Sequence, residues 1–199
     1  ITGGDRVLLT GPSGAGKSTL FRAIAGIWPF GRGRITVPPD ARVLFLPQKP
    51  YLPIGTLRQV VSYPMPASGV TDAALRESLE AVGLPKLVAR LDENAHWAMQ
   101  LSPGEQQRIA FARALIQKPD WLFLDEATSA VDETTEQRLY ALVNERLVGT
   151  TVVSIGHRPT LGAFHDRRLV VRPNGDRAAS LEETSSSLEE MSSNGLPRK

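Results

Sequence analysis

The chain has 199 residues, a formal net charge of +2, 41% hydrophobic and 22% charged residues, and no cysteine. That length favours one domain, with a core that buries roughly 70% of the unfolded surface. The net charge is too small to argue for nucleic acid, and the lack of cysteine excludes a disulfide framework or a thiolate metal site.

In chain order, Arg6 to Thr10 reads as a strand with Val7, Leu8 and Leu9 as its apolar body. It runs into Gly11-Pro12-Ser13-Gly14-Ala15-Gly16-Lys17-Ser18-Thr19, a complete G-x-x-x-x-G-K-[ST] loop, and Lys17 to Gly26 reads as the helix that follows. A strand, a glycine-rich turn and a helix start together wrap backbone N–H groups around a polyphosphate. Lys17 then reaches the β- and γ-phosphates, and the Ser18 hydroxyl suits Mg²⁺. Val43 to Leu46 is a second short strand, closed by Pro47 and followed by Gln48. Thr71 to Val82 has helical spacing, with Ala74, Leu75, Leu79 and Val82 on one face and Gly83 as its stop.

Gly104 to Gln117 reads as a helix, Trp121 to Leu124 as a buried strand and Thr135 to Leu147 as a helix. Thr151 to Ile155 and Arg168 to Val171 are the last strands. Strands alternating with helices predict an α/β domain, a mostly parallel sheet flanked by helices. Residues 60 to 100 break the rhythm and read as an inserted helical subdomain. The nucleotide-binding core is then 1–59 and 101–172. From Pro173 onward the Ser- and Glu-rich chain reads as a disordered tail over 173–199. No apolar run approaches the ~20 residues that span a bilayer, and no signal peptide is visible. With no leading methionine and the phosphate loop almost at once, a longer polypeptide is expected.

The strand from Trp121 ends in two carboxylates, Asp125 and Glu126. In phosphate-loop enzymes a carboxylate at that place holds Mg²⁺. Asp125 fits that role, which leaves Glu126 to polarise a water for attack on the γ-phosphorus. Gln48 could reach Mg²⁺ or that water, and His157 could orient it, yet each alone is also an ordinary loop residue. Leu101-Ser102-Pro103-Gly104-Glu105 contains S-x-x-E, a capping box with Pro103 at the first helical position. The same helix start is an anion site in need of a second phosphate, or of the phosphate of a partner chain.

Together these residues resemble the ATP-binding cassette ATPases. Residues 11 to 19 match Walker A, Gln48 the Q-loop, Leu101 to Gln106 the signature motif and Leu122 to Glu126 Walker B. Ser129 to Asp132 resembles the D-loop and His157 the switch histidine, all in family order. The resemblance implies a P-loop NTPase fold, ATP and Mg²⁺, and a head-to-tail dimer. Each ATP is then clasped between Walker A of one chain and Ser102 and Gly104 of the other. Catalysis falls to Glu126, His157 and Gln48, and metal binding to Ser18, Gln48 and Asp125. The runs Ile24 to Gly31, Leu46 to Arg58 and Trp121 to Ala130 are similar to one branch of the family. It holds bacterial vitamin B12 and antimicrobial-peptide type transporters and peroxisomal fatty-acyl-CoA half-transporters. That implies a membrane domain fused upstream, a second and identical cassette as partner, and a place on the cytoplasmic face of a bacterial inner membrane.

Two departures stand out. Pro103 and Glu105 replace Gly and Gln of the commoner Leu-Ser-Gly-Gly-Gln, and the family's upstream strand bearing an adenine-stacking aromatic is missing. A soluble cassette ATPase is the alternative function, although neither a second cassette nor a long coiled-coil insertion is present. A small-molecule kinase would need neither Ser102 nor His157.

Overall fold

The computed structural model describes residues 1–174 and 178–184. A six-stranded sheet has the order β2-β5-β6-β1-β7-β8, with β1 (Arg6–Thr10), β2 (Val43–Leu46), β5 (Trp121–Asp125), β6 (Thr151–Ile155), β7 (Arg167–Asn174) and β8 (Ala178–Thr184). β2, β5, β6, β1 and β7 run parallel, and only β7–β8 is antiparallel. Residues following a parallel strand therefore emerge on one edge of the sheet, where open α/β sheets bind their ligands. The phosphate loop follows β1, Gln48 follows β2, Asp125 and Glu126 close β5, and His157 follows β6.

Alternation along the strands builds two layers. Val7, Leu9, Phe123, Val153 and Ile155 pack with Phe21 of α1 (Lys17–Ile24) on one face. Leu8, Leu122, Leu124 and Val152 join a larger cluster on the other. That cluster includes Phe111 of α5 (Pro103–Gln117) and Tyr140 of α6 (Glu133–Arg146).

Around the segment read as an inserted helical subdomain, 60 to 100, the chain forms short helices and turns that start upstream, at Gly55. This stretch contains α2 (Leu57–Ser62), α3 (Asp72–Ala81) and the short α4 (Trp97–Gln100), with 3-10 turns at Ala67–Gly69 and Pro85–Arg90. β3 (Gly55–Thr56) and β4 (Asn94–Ala95) form an antiparallel clip at its two ends. Gly55 has φ 152 and accepts a hydrogen bond from Trp97 Nε1 at 3.0 Å, a closure that leaves no periodic signal. Leu75, Leu79 and Trp97 are fully buried in the same cluster as Leu122.

Residues 178–184, expected in a disordered tail, instead form β8. An edge strand on a solvated surface needs few apolar residues when its partner supplies complementary charge. Arg167 Nε donates to Glu183 Oε1 at 2.6 Å, and Arg172 pairs with Glu182 at 2.7 Å. Of the rest of that expectation, residues 173 and 174 end β7, while 175–177 and 185–199 lie outside the described residues. α6 starts at Glu133, ahead of the predicted Thr135, because Asp132 Oδ1 accepts from Thr135 N at 2.8 Å and caps it.

Candidate nucleotide site

The loop after β1 has the shape its glycines permit. Gly11 has φ 140, and a Cβ there would meet the Val171 carbonyl oxygen at 2.5 Å, so only glycine fits against β7. Gly16 caps α1 at φ 90 without any side-chain cap, and the first turn carries no acidic residue. The N–H groups of such a turn have no acceptor within the helix. Pro12, Ser13 and Gly14 are exposed beside it, Ala15 is buried and Thr19 half-buried. Lys17 is only 6% exposed, and its Nζ donates to the carbonyls of Gly11 at 2.9 Å and Pro12 at 2.8 Å. The ammonium thus lies along the rim of the cradle.

Ser18 Oγ donates to Asp125 Oδ1 at 2.9 Å, joining the start of α1 to the end of β5. Burial pushes the Asp125 carboxyl above its usual range, the neighbouring Glu126 charge adds to that, and the Ser18 bond opposes it. A half-buried carboxylate beside a hydroxyl is a hard-oxygen corner that suits Mg²⁺. No group of three or more His, Cys, Asp or Glu able to hold a metal occurs among the described residues. Mg²⁺ does not need one, because it commonly takes one or two protein oxygens and fills its shell with phosphate and water.

Glu126 sits at φ 49, in the left-handed region, with its N–H bonded to the Ile155 carbonyl at 3.1 Å. This turn aims the carboxylate at β6, where Glu126 Oε1 and His157 Nε2 are 3.0 Å apart. The sequence-predicted pair is thus brought together. Gln48 is exposed and contributes its carbonyl, not its amide, to the contacts around it.

The helix start at α5 closes on itself as the capping box predicts. Ser102 Oγ accepts from Glu105 N at 3.3 Å, while Glu105 Oε2 accepts from Ser102 N at 2.9 Å and from Ser102 Oγ at 2.7 Å. These bonds, the hydroxyl's first, hold the Glu105 carboxyl below its usual range. A Cβ on Gly104 would stand 2.9 Å from the Ala130 carbonyl oxygen, so that glycine serves the approach of the 129–131 segment.

Sequence reasoning missed five side chains that tie these loops together. Gln107, 2% exposed, reaches Gln48 and the 129–130 segment from α5. Arg113 donates to the carbonyls of Tyr51 at 2.8 Å and Val60 at 2.7 Å, and burial pushes its guanidinium down to about 10. Arg158, next to His157, donates to the Val131 carbonyl at 2.9 Å and lies 3.3 Å from the buried Glu136 carboxylate. Thr128 in turn donates to Glu136. The available signal was Arg113, a charge inside the otherwise apolar run from Ile109 to Ile116 of α5.

Beside Ser18 and Asp125 opens a cavity of about 470 Å³, walled by Phe45, Pro47, Tyr51 and Tyr63. Tyr51 is 63% and Tyr63 40% exposed, so its rim is aromatic.

Comparison with known proteins agrees with this geometry. A family model described as ABC transporter matches residues 1–129. An uncharacterized ABC transporter ATP-binding protein of Synechocystis sp. is 48% identical over 178 residues, covering 88% of this chain and 27% of that protein. The lysosomal cobalamin transporter ABCD4 of Homo sapiens is 43% identical over 83% of this chain and 29% of its own length. ABC transporter D family member 1 of Arabidopsis thaliana is 40% identical over 82% of this chain and 13% of its own. The chain therefore spans a third or less of the curated relatives it matches. A solved structure of a bacterial Atm1-family ABC exporter with ATP bound superposes with a TM-score of 0.75 at 30% identity, over 85% of this chain and 32% of that one. With the P-loop NTPase α/β fold and the family match over most of its length, the chain belongs to the ABC transporter family as an ATP-binding domain.

Proposed function

We propose that the chain is the ATP-hydrolysing motor of a membrane transporter, working as a head-to-tail dimer of cassettes. The observation that carries this reading is the junction of two pairs on one sheet edge: Ser18 with Asp125 at 2.9 Å, and Glu126 with His157 at 3.0 Å. The first pair suits a nucleotide-bound cation and the second an attacking water. The exporter it resembles was solved with ATP bound, which supports ATP as the nucleotide.

In this reading the backbone of residues 11–19 binds the phosphates, and Lys17 turns from the Gly11 and Pro12 carbonyls to the β,γ oxygens. Ser18 and Asp125, with Gln48 as a further oxygen, would hold Mg²⁺, which when bound would supply charge neutralisation at those oxygens. Glu126 takes the proton of the attacking water, and His157 Nε2 keeps that carboxylate and the water in line. Little covalent chemistry falls to the protein, so positioning and charge stabilisation supply the rate. Ser102 and Gly104 complete the neighbour's site, and loss of the γ-phosphate releases the pair.

The partner is a second, identical cassette. A membrane domain fused upstream would seat a helix in the aromatic-rimmed cavity at Tyr51 and Tyr63, with 60–100 as the helical subdomain that carries the motion. This places the cassette on the cytoplasmic face of a membrane, and the bacterial relatives favour a bacterial inner membrane. Replacing Glu126→Gln removes the base and keeps the shape. Hydrolysis should fall about a thousandfold while ATP binding persists, and light scattering should find a trapped dimer. A variant that stays monomeric with Mg-ATP, beside a wild type that hydrolyses well alone, would overturn the reading.

A further inference from the structure

α5 carries two consecutive buried glutamines with different reach. Gln106 serves its own neighbourhood, donating to the carbonyls of Ala98 at 3.0 Å and Leu101 at 2.9 Å. Gln107 works at long range. Its Nε2 donates to the Gln48 carbonyl at 2.8 Å and to Ser129 Oγ at 3.1 Å, and its Oε1 accepts from Ala130 N at 2.9 Å. Two loops from different strands are thereby joined through one planar amide. Only a side chain that both donates and accepts can hold a carbonyl and an N–H at once, which is why an amide stands here.

Neither loop has slack around this amide. The Ala130 carbonyl lies so near Gly104 that a Cβ would be 2.9 Å away, so the 129–131 segment is pressed on the start of α5. At the other end, Arg113 holds the Tyr51 carbonyl at 2.8 Å. The stretch from Gln48 to Tyr51 is thus gripped at both ends by one helix. Ser129 and Ala130 are exposed on their outer side, where a second copy can reach them.

From this we infer that Gln107 is a positioning residue that couples the Gln48 loop to the 129–131 segment. Arrival of the partner copy at that segment and alignment of Gln48 then become one event. The inference rests on the reading of Gln48 and of the dimer given under Proposed function. It adds a residue that touches neither nucleotide nor water, and acts through the backbone of both loops.

The test uses the intact encoded polypeptide with Gln107→Met, which fills the same space without donating or accepting, and with Ser129→Ala, which removes one arm from the exposed side. The methionine variant should lose about tenfold in kcat and the alanine variant about threefold, with ATP affinity kept within about twofold because the Lys17 cradle is untouched. Without nucleotide, amide hydrogen exchange over 46–51 should quicken in the methionine variant while the rest of α5 stays protected. A brace with no coupling role would speed exchange along the whole of α5 and leave kcat per folded molecule at the wild-type value, and that result overturns the inference. Should the methionine variant not fold, Ser129→Ala decides alone: a wild-type rate overturns the inference and a loss upholds it. Glu126→Gln, run alongside, separates the two failures. If it too hydrolyses normally, the catalytic reading has fallen; if it is dead while both coupling variants are normal, only the role of Gln107 has.

Discussion

Two helix starts in this chain present backbone N–H groups to solvent, and they are built for opposite relations to charge. At α1 the N-cap is Gly16, no side chain caps it, and the first turn has no acid. At α5 the N-cap Ser102 and its third residue Glu105 satisfy each other in a complete capping box. The first terminus is open within its own chain, with Lys17 lodged on neighbouring carbonyls. The second is closed by its own side chains, and its serine hydroxyl is already bonded to a carboxylate. In the proposed dimer one site is therefore ready in the monomer, and the other would have to be opened by the partner's phosphate.

Removing the cation of the open site tests this difference most strongly. Lys17→Ala should weaken ATP binding about hundredfold, the scale of a lost charge-assisted contact in a largely buried place. The fold should survive, since the ammonium bonds only loop carbonyls. Equilibrium binding of a fluorescent ATP analogue measures the loss. A variant that binds ATP normally would mean that the cradle is not the primary site and that the two termini do not differ as described.

Asp125→Asn separates readiness from stability at the open site. Burial raises the Asp125 carboxyl, so in the free protein its charge is unfavourable once pH exceeds the raised value. The folded state gains relative stability as pH falls through that value, the reverse of a salt-bridged carboxylate. An asparagine keeps the oxygen that accepts from Ser18 and removes the charge. The nucleotide-free variant should melt about 2 °C higher at neutral pH and lose that advantage in acid, while hydrolysis drops about hundredfold. Calorimetry across pH, beside phosphate release, reads both. A lower melting temperature at neutral pH would show that the carboxylate is compensated by contacts other than Ser18.

How far the sequence displays these features depends on the distance between the partners. Gly11 to Thr19, Asp125 with Glu126, and Ser102 with Glu105 are contiguous or one turn apart, so their chemistry is visible in the order of letters. Gln48 and His157 are single letters with ordinary alternatives, and only the family resemblance raises them. Gln107, Arg113 and Arg158 were missed because their partners lie 59, 62 and 27 residues away. β8 was missed for a different reason. Its pairing rests on Arg167 with Glu183 and Arg172 with Glu182, and charged letters in a Ser- and Glu-rich stretch carry the composition of disorder. The β3–β4 clip is two residues on each side, too short for any period to register.

The smallest expected effect falls on the closed terminus and bears most directly on the contrast. Glu105→Gln keeps the capping box, since glutamine at that position can accept from Ser102 N, but it takes a negative charge away from where the partner's γ-phosphate would arrive. ATP-driven dimerisation should tighten about threefold, the scale of one like-charge contact at an accessible helix end, and light scattering against ATP concentration reads it. The isolated chain should become slightly less stable, because the charge also favours the positive end of α5. The acid limb supplies the sign. The wild-type carboxyl is held below its usual range, first by the Ser102 hydroxyl, so its contribution stands fully above the ordinary carboxylate value. It disappears as pH falls through the lowered value, and the glutamine variant should lack that limb of the melting curve. If dimerisation is unchanged or weaker in the variant, the carboxylate does not guard Ser102, and the second terminus is closed by geometry alone.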